Sequence, residues 1–408
     1  MKQFLLSLSL LFSIAVFAQP TKKYLMSFHT CTDCGSPTNH SVQLAESDNG
    51  SSWSLVPGHT AWSGSVPDVI TRGSKVYIYS PTGMRTYDST TKAWSATTKF
   101  SIADKNGTAV SIVDPSAHIN ANGKIVLFYL VSTGVSGDPA SCTSYPCTKN
   151  FGSAIEKEGT DGTQFVAVDG YRASVTLNSG SASDPDIFYD GSKYWLYISL
   201  GQSVEVRSSD LLHGDYQKVS TLTNSILTSQ GGIPSGYYDP TSKKYWTYVH
   251  AGSPTQIKLG ITDNITSSLT SVSSVISGSI ISNASAEAAS PGFAINTFNA
   301  AFKDAKGSGT DSTTTSGSSG GTGGTGGTGG TGGTGGTGGT STTIDSIPNA
   351  PAAKTWTGKL GLRYTYVSST VIQSGIDNEP THRVLVENIS NKIRKDIQLR
   401  HTGVNADS

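Results

Sequence analysis

The sequence predicts an all-β fold, a five-bladed β-propeller whose last blade is shared between both ends of the folded region. One observation is a turn ending in proline that recurs at Pro67, Pro115, Pro185, Pro234 and Pro291. These prolines are 48, 70, 49 and 57 residues apart, the period of four-stranded blades. A second observation is the aromatic-rich strand that follows about ten residues after each of the first four turns.

These second strands share an opening lysine and are rich in aromatic residues. They are KVYIYS from Lys75, KIVLFYLVS from Lys124, KYWLYIS from Lys193 and KYWTYVHAG from Lys244. Four turn-and-strand pairs therefore define four self-contained blades.

The third observation concerns two incomplete copies of the repeat, one at each end of the folded region. KYLMSFHT from Lys23 is a second strand without a preceding turn, and the turn at Pro291 has no second strand after it. A fifth blade built from the strand after Pro291 and the strands of residues 23–57 uses both. Such a blade closes the ring and leaves no free sheet edge.

The N-terminus predicts export. Met1-Lys2 precedes an apolar run from Phe4 to Phe17, and Val16-Phe17-Ala18 forms a small-residue exit. This pattern indicates a signal peptide over residues 1–18, cut before Gln19. The run is short for a membrane span, so we expect no transmembrane segment in the mature chain and a periplasmic, cell-surface or secreted location.

Charge excludes two classes of partner. Lys plus Arg and Asp plus Glu both number 29, and charged residues make up 14% of the chain. No net field attracts nucleic acid or an anionic membrane surface.

Four cysteines form two closely spaced pairs, Cys31-x2-Cys34 and Cys142-x4-Cys147. Four thiolates at such spacing also suit a zinc site. Export favours disulfides instead, because the compartment is oxidising. Since the pairs fall in blades that are not neighbours, we expect two local bridges, with zinc binding or cross-pairing as the alternatives.

Composition divides the rest of the chain. The propeller is predicted for residues 19–302. Residues 303–349 are rich in Gly, Ser and Thr, with seven Gly-Gly-Thr copies from Gly320 to Thr340, and predict a flexible linker. Residues 350–408 regain alternation and predict a small β-rich module or a partly disordered tail.

Several segments resemble a known group of enzymes. DPDIF from Asp184 and DGSKYWLY from Asp190, with VDPS from Val113 and SSDLLH from Ser208, resemble the signature of five-bladed glycoside hydrolases. These are family 43, the arabinanases and xylosidases, and its relatives in families 32, 62 and 68. The resemblance covers residues 23–298 and implies that the leading strands begin around a central funnel that binds carbohydrate.

The resemblance also implies three carboxylates around that funnel. One activates water, one tunes pKa and orientation, and a Glu protonates the leaving oxygen; in inverting enzymes acid and base lie about 6.5–9.5 Å apart. The sequence departs from this pattern, because the family's acidic residues precede proline. The residues at those positions are Val66, Asp114, Asp184, Ile233 and Ser290.

The triad is thus incomplete in either register. If Asp114 and Asp184 match base and tuning residue, the acid falls on Ile233; shifted by one blade, the base falls on Val66. Asp68 and Asp186, which follow their prolines, are weaker candidates. An Asp before Pro also caps turns, so a structural role for Asp114 and Asp184 stands beside glycan contact and catalysis.

Other candidates end the second strands, which run antiparallel to the first and emerge at the same mouth. His29 and His250 end two neighbouring blades; they suit sugar binding or metal support, or are satisfied polar residues. Trp62 enters the first blade and suits stacking on a sugar or packing between blades. No cofactor is required, although the funnel has room for a central Ca²⁺ or other ion.

Three functions fit these observations. The leading hypothesis is an exported carbohydrate-recognising propeller, weakly catalytic or not catalytic. The second is an active glycoside hydrolase on a plant or microbial polysaccharide, with an unconventional carboxylate set. The third is a surface adhesin in which the propeller binds another protein.

Overall fold

The computed structural model describes residues 19–34, 36–132 and 140–297, together with four strands near the C-terminus. The predicted signal peptide and the predicted linker lie outside the described residues. Within the described part of the chain, no helix has both the length and the apolar character needed to cross a bilayer.

The strands follow one another in blade order. The first four belong to the fifth blade and are β1 (Tyr24–Cys31), β2 (Ser41–Ser47), β3 (Ser54–Leu55) and β4 (Trp62–Ser63). The first blade contains β5 (Asp68–Arg72), β6 (Lys75–Ser80), β7 (Gly83–Asp88) and β8 (Ala93–Trp94). The second contains β9 (Ser101–Ala103), β10 (Ile112–Ile119), β11 (Ile125–Val131), β12 (Cys147–Glu156), β13 (Gln164–Ala167) and β14 (Ala173–Leu177).

The third and fourth blades follow in the same order along the chain. The third contains β15 (Ser183–Tyr189), β16 (Tyr194–Leu200), β17 (Ser203–Ser209), β18 (Gln217–Lys218) and β19 (Ile226–Thr228). The fourth contains β20 (Gly232–Asp239), β21 (Lys244–Ala251), β22 (Gln256–Thr262) and β23 (Ser273–Ile276), and β24 (Glu287–Ile295) returns to the fifth. Short 3-10 helices cover Pro37–Asn39, Thr223–Ser225 and Gly278–Ile281.

The predicted composite blade is confirmed. β24 pairs antiparallel with β1, which pairs with β2, so the fifth sheet joins both ends of the folded region. Ala294 lies opposite Leu25 and Phe293 opposite Met26. The innermost strands β5, β10, β15, β20 and β24 each contact the next and close the ring.

The core lies between the blades. Five clusters of buried side chains fill the five boundaries between neighbouring sheets. Phe128 and Leu196, for example, pack between the second and third blades. Because neighbours cover both faces of a sheet, second strands such as β6 are buried almost continuously rather than alternately.

The prolines sit differently from the predicted turns. Pro115, Pro185, Pro234 and Pro291 lie inside the innermost strands, where the ladder to the second strand shifts register. These shifts are β-bulges. Proline is tolerated there because the innermost strand is the edge of its sheet and a bulge needs no ladder N–H.

Both predicted disulfides are present, Cys31–Cys34 and Cys142–Cys147. Separately, β25 (Thr355–Thr357), β26 (Leu362–Thr370), β27 (Thr381–Asn388) and β28 (Val404–Asn405) form a four-stranded sheet in that order. This sheet belongs to a second compact unit of the chain.

Candidate active site

Five pre-proline residues ring one mouth of the propeller, four of them at the bulges and Val66 just before β5. The residue before each proline has a positive φ: Val66 (40°), Asp114 (53°), Asp184 (46°), Ile233 (45°) and Ser290 (56°). L-residues rarely adopt this left-handed conformation, which costs about 1–3 kcal/mol where it is imposed. These five residues, called the pre-proline ring, line a narrow axial cavity of about 20 Å³.

The four carboxylates named by the sequence converge on this cavity. Asp68, Asp114, Asp184 and Asp186 all line it. The Asp184 backbone N–H donates to Oδ2 of Asp114 at 3.2 Å, which ties the second and third blades together at the mouth. Asp184 is buried and Asp114 half-buried. The cavity has the size of one water molecule, so a sugar hydroxyl can enter it and a sugar ring has to lie across its mouth.

The residues that follow three of these prolines form hydrogen bonds to the next blade. Oδ2 of Asp68 accepts the Ala117 N–H at 2.5 Å, and Oδ2 of Asp186 accepts the Gly236 N–H at 2.7 Å. Oγ of Ser116 accepts an N–H of the third blade at 3.2 Å. In all three cases a side chain of one blade accepts a backbone N–H of the next. Asp68, Ser116 and Asp186 form what we call the axial belt.

Asp186 has an unusual protonation equilibrium. Burial raises its pKa well above the ordinary range, and the nearby charge of Asp68 raises it further. The hydroxyls of Ser116 and Ser235 each lie 3.4 Å from Oδ1 of Asp186. Asp186 therefore holds a proton at a pH where an ordinary carboxyl has lost it.

Histidines line the same face. The Val66 N–H donates to Nδ1 of His29 at 3.3 Å, and the His29 ring stacks on His40 with 4.2 Å between centroids. Burial, then the charges of His40 and His250, lower the pKa of His29 to about 3. Burial lowers the pKa of His250 to about 4. Both rings are neutral at pH 7, so each has one donor and one acceptor nitrogen, and in His29 the acceptor is Nδ1.

The other predicted and missed residues flank this site. Trp62 is 8% exposed and packs in the cluster between the fifth and first blades. Tyr145, which sequence reasoning missed, is 43% exposed on the loop bridged by Cys142–Cys147. Its hydroxyl donates to the carbonyl of Gly180, just before β15. The sequence feature that could have indicated Tyr145 is an aromatic residue between two cysteines predicted to form a disulfide.

Comparisons with known proteins found similar solved structures but no similar sequence family. No protein-family model and no curated protein matches the sequence. Solved structures do match. One is an endo-1,4-beta-xylanase from Bacteroides thetaiotaomicron, at 12% identity over 61% of this chain and 93% of that one, with a TM-score of 0.38.

Two further structures are similar. A family 43 beta-xylosidase/alpha-arabinofuranosidase from a compost microbial metagenome has 12% identity over 62% of this chain and 90% of that one, with a TM-score of 0.40. An endo-1,5-alpha-L-arabinanase from Thermotoga petrophila has 15% identity over 60% and 72%, with a TM-score of 0.36. The chain is a five-bladed β-propeller similar to these glycoside hydrolases. At TM-scores below 0.5 this likeness carries no argument of its own, so the fold rests on the strand pairing described above and the chemistry on the propeller's own residues.

Proposed function

We propose that this protein is an exported propeller that binds a carbohydrate at the pre-proline ring and hydrolyses it weakly or not at all. One observation carries the proposal: the pre-proline ring presents two adjacent carboxylates, Asp114 and Asp184, and no third. Two carboxylates side by side accept hydrogen bonds from neighbouring sugar hydroxyls.

The remaining acids are committed elsewhere. Asp68 and Asp186 accept backbone N–H groups of the neighbouring blades. Hydrolysis needs an acid and a base on opposite sides of the scissile bond, both free to exchange protons with the substrate. Carboxylates that hold the strands of the axis together are poorly placed for that exchange.

The surroundings suit sugar recognition. His29 and His250 are neutral polar groups at the ends of second strands on the same face. Tyr145 offers an exposed aromatic ring on a disulfide-bridged loop, and sugars stack on such rings. Two disulfides also favour an exported protein, because they persist in oxidising compartments.

A second function has one observation in its favour. Asp186 lines the same cavity as Asp114 and Asp184, and its raised pKa is the property of a general acid. An active hydrolase with Asp186 as acid is therefore the competing proposal.

A glycan array probed with the full chain tests the first proposal. The Asp114→Asn/Asp184→Asn variant should lose the glycans that the wild type binds. Asp210→Asn/Asp263→Asn is the matched control, because it removes two exposed carboxylates at the opposite ends of the blades. Equal binding by wild type and the Asp114/Asp184 variant would remove these residues from the site.

A further inference from the structure

A second cluster of chemically active side chains lies in the loop between β1 and β2. Twelve residues, from His29 to His40, carry two histidines and two cysteines in the order His-x-Cys-x2-Cys-x5-His. The short 3-10 helix Pro37–Asn39 turns the chain back, so that His40 returns beside the end of β1.

These groups gather around Cys31. A ring nitrogen of His29, one of His40 and Sγ of Cys31 lie within 4.8 Å of one another. Sγ of Cys31 and Cys34 and a carboxylate oxygen of Glu287 form a second group with the same limit. Glu287 is held there by the strand register, which places it opposite Cys31.

The two ring nitrogens of His40 differ in their hydrogen bonding. Nδ1 pairs with Oγ of Ser65 at 2.8 Å, whereas Nε2 is buried and makes no well-aligned hydrogen bond among the described residues; the ring's other polar neighbour is the backbone of Cys34. A metal-bound imidazole has this arrangement, with one nitrogen fixed by a hydrogen bond and the other directed at the ion. His29 is less suited, because its Nδ1 accepts the Val66 N–H.

We propose that the dithiol form of this loop binds one Zn²⁺ through Cys31, Cys34, Nε2 of His40 and the carboxylate of Glu287. Zinc takes four such ligands tetrahedrally, about 2.0–2.3 Å from the ion, so ligand atoms stand roughly 3.3–3.8 Å apart, inside the 4.8 Å limit of both groups. The two sulfurs move apart to this spacing once their bond is broken. The Cα atoms of Cys31 and Cys34 are 5.4 Å apart. A ligand atom of each of the other three residues lies within 4.8 Å of Sγ of Cys31.

The step from disulfide to zinc site balances. A dithiol reductant supplies two electrons and two protons to the Cys31–Cys34 bond and closes to its own disulfide. The S–S bond breaks and two thiols form. Zn²⁺ then binds two thiolates and releases the two thiol protons. Reoxidation by another disulfide expels the ion, so the loop alternates between a covalent bridge and a metal bridge.

The second cysteine pair provides an internal control. Cys142 and Cys147 also form a disulfide, but no group of histidine and carboxylate ligands surrounds them in the part of the chain that the structure describes. Reduction exposes two thiols at each pair, and only the pair at β1 should hold zinc.

The test uses the full chain, reduced with a phosphine or left oxidised, incubated with Zn²⁺ and freed of excess by gel filtration. Mass spectrometry of the metal should find one zinc per reduced chain and none per oxidised chain. Co²⁺ in place of Zn²⁺ should give the thiolate charge-transfer band of a tetrahedral site.

Variants assign the ligands. Cys31→Ser/Cys34→Ser and His40→Ala should lose the zinc, and Cys142→Ser/Cys147→Ser should keep it. His40→Ala retains its disulfide, so its folding can be verified in the oxidised form before reduction. A reduced wild type without zinc would overturn the proposal, as would a folded His40→Ala/Glu287→Gln variant that binds zinc as tightly as the wild type.

Discussion

The carboxylate of Asp186 accepts the backbone N–H of Gly236 at 2.7 Å across the boundary between the third and fourth blades. Asp68 makes the equivalent bond to Ala117 between the first and second. Residues that look catalytic in the sequence thus hold the innermost strands together. The axial belt therefore gives Asp68 and Asp186 a structural role at the centre of the ring.

The axial belt predicts a pH-dependent stability. Asp186 has a folded pKa well above the ordinary 3.8, so its contribution to stability is complete below that value and is lost as pH rises through the folded pKa. Asp186→Asn mimics the protonated acid. We expect the variant and the wild type to unfold at the same urea concentration in acid, and the variant to be the more stable at alkaline pH.

Asp186→Ala provides the contrast, because alanine leaves the Gly236 N–H without its acceptor. It should lower the free energy of unfolding by about 1–3 kcal/mol in acid, and by less at alkaline pH, where the wild type has itself lost the contribution of the protonated acid. A constant difference between Asp186→Asn and the wild type from acid to alkaline pH would contradict the raised pKa.

Substitution of Gly292 tests how closely the fifth and first blades pack. A Cβ at this position would lie 2.2 Å from Oδ1 of Asp68 and 2.6 Å from its Cα, across the boundary between the fifth and first blades. Because backbone cannot yield cheaply, Gly292→Ala should cost roughly 3 kcal/mol, the upper end for overpacking. Gly73→Ala, which meets nothing within 4 Å, should cost only about 1 kcal/mol for its positive φ of 57°. Equal losses in urea unfolding would argue against close contact at the ring closure.

Substitution of Glu156, at the end of the blades opposite the mouth, should lower the free energy of unfolding strongly. It is 6% exposed and accepts hydrogen bonds from Arg72 of the first blade and from the N–H groups of Gly162 and Ile125, at 2.5 and 3.1 Å. Glu156→Ala leaves the N–H groups of Gly162 and Ile125 without their acceptor and removes the buried partner of Arg72, and it should cost about 3–5 kcal/mol.

Asp161 is the matched control for Glu156. It also pairs with Arg72, but its side chain is 54% exposed. Asp161→Asn should cost at most about 1 kcal/mol, because water replaces the lost partner. If chemical denaturation found the two losses equal, the pair Arg72–Glu156 would not be the buried link that we describe.

Protonation of His59 should account for part of the stability that the folded protein loses in acid. Burial lowers its pKa from 6.5 to about 4, so the folded protein loses stability as pH falls through this window. His59→Gln removes the group that has to take up a proton. The variant should lose less stability than the wild type between pH 6.5 and 4, measured by urea unfolding at both values. Parallel losses in the two proteins would assign the acid sensitivity to other groups.

The sequence predicted the architecture well. Proline spacing, aromatic second strands and the two incomplete copies of the repeat were enough to predict five blades and the pairing of β24 with β1. They sufficed because each blade repeats the same pattern of burial. Antiparallel alternation also predicted that His29 and His250 emerge where Asp114 and Asp184 begin. Both disulfides followed from close spacing and predicted export.

The site was less accessible to sequence reasoning. The positive φ of Asp114 and Asp184 depends on a bulge that only the paired second strand defines. The roles of Asp68 and Asp186 depend on N–H groups 49 and 50 residues away in the next blade. His40 stacks on His29 through a loop whose path no local propensity fixes.

The most direct test of the central claim measures binding and turnover in one sample. The full chain is titrated calorimetrically with a glycan selected on the array, and the same mixture is then analysed by chromatography for cleavage products. We predict saturable binding that the Asp114→Asn/Asp184→Asn variant loses, with the glycan recovered intact. Cleavage by the wild type that either single substitution abolishes would contradict the claim and identify the propeller as a hydrolase.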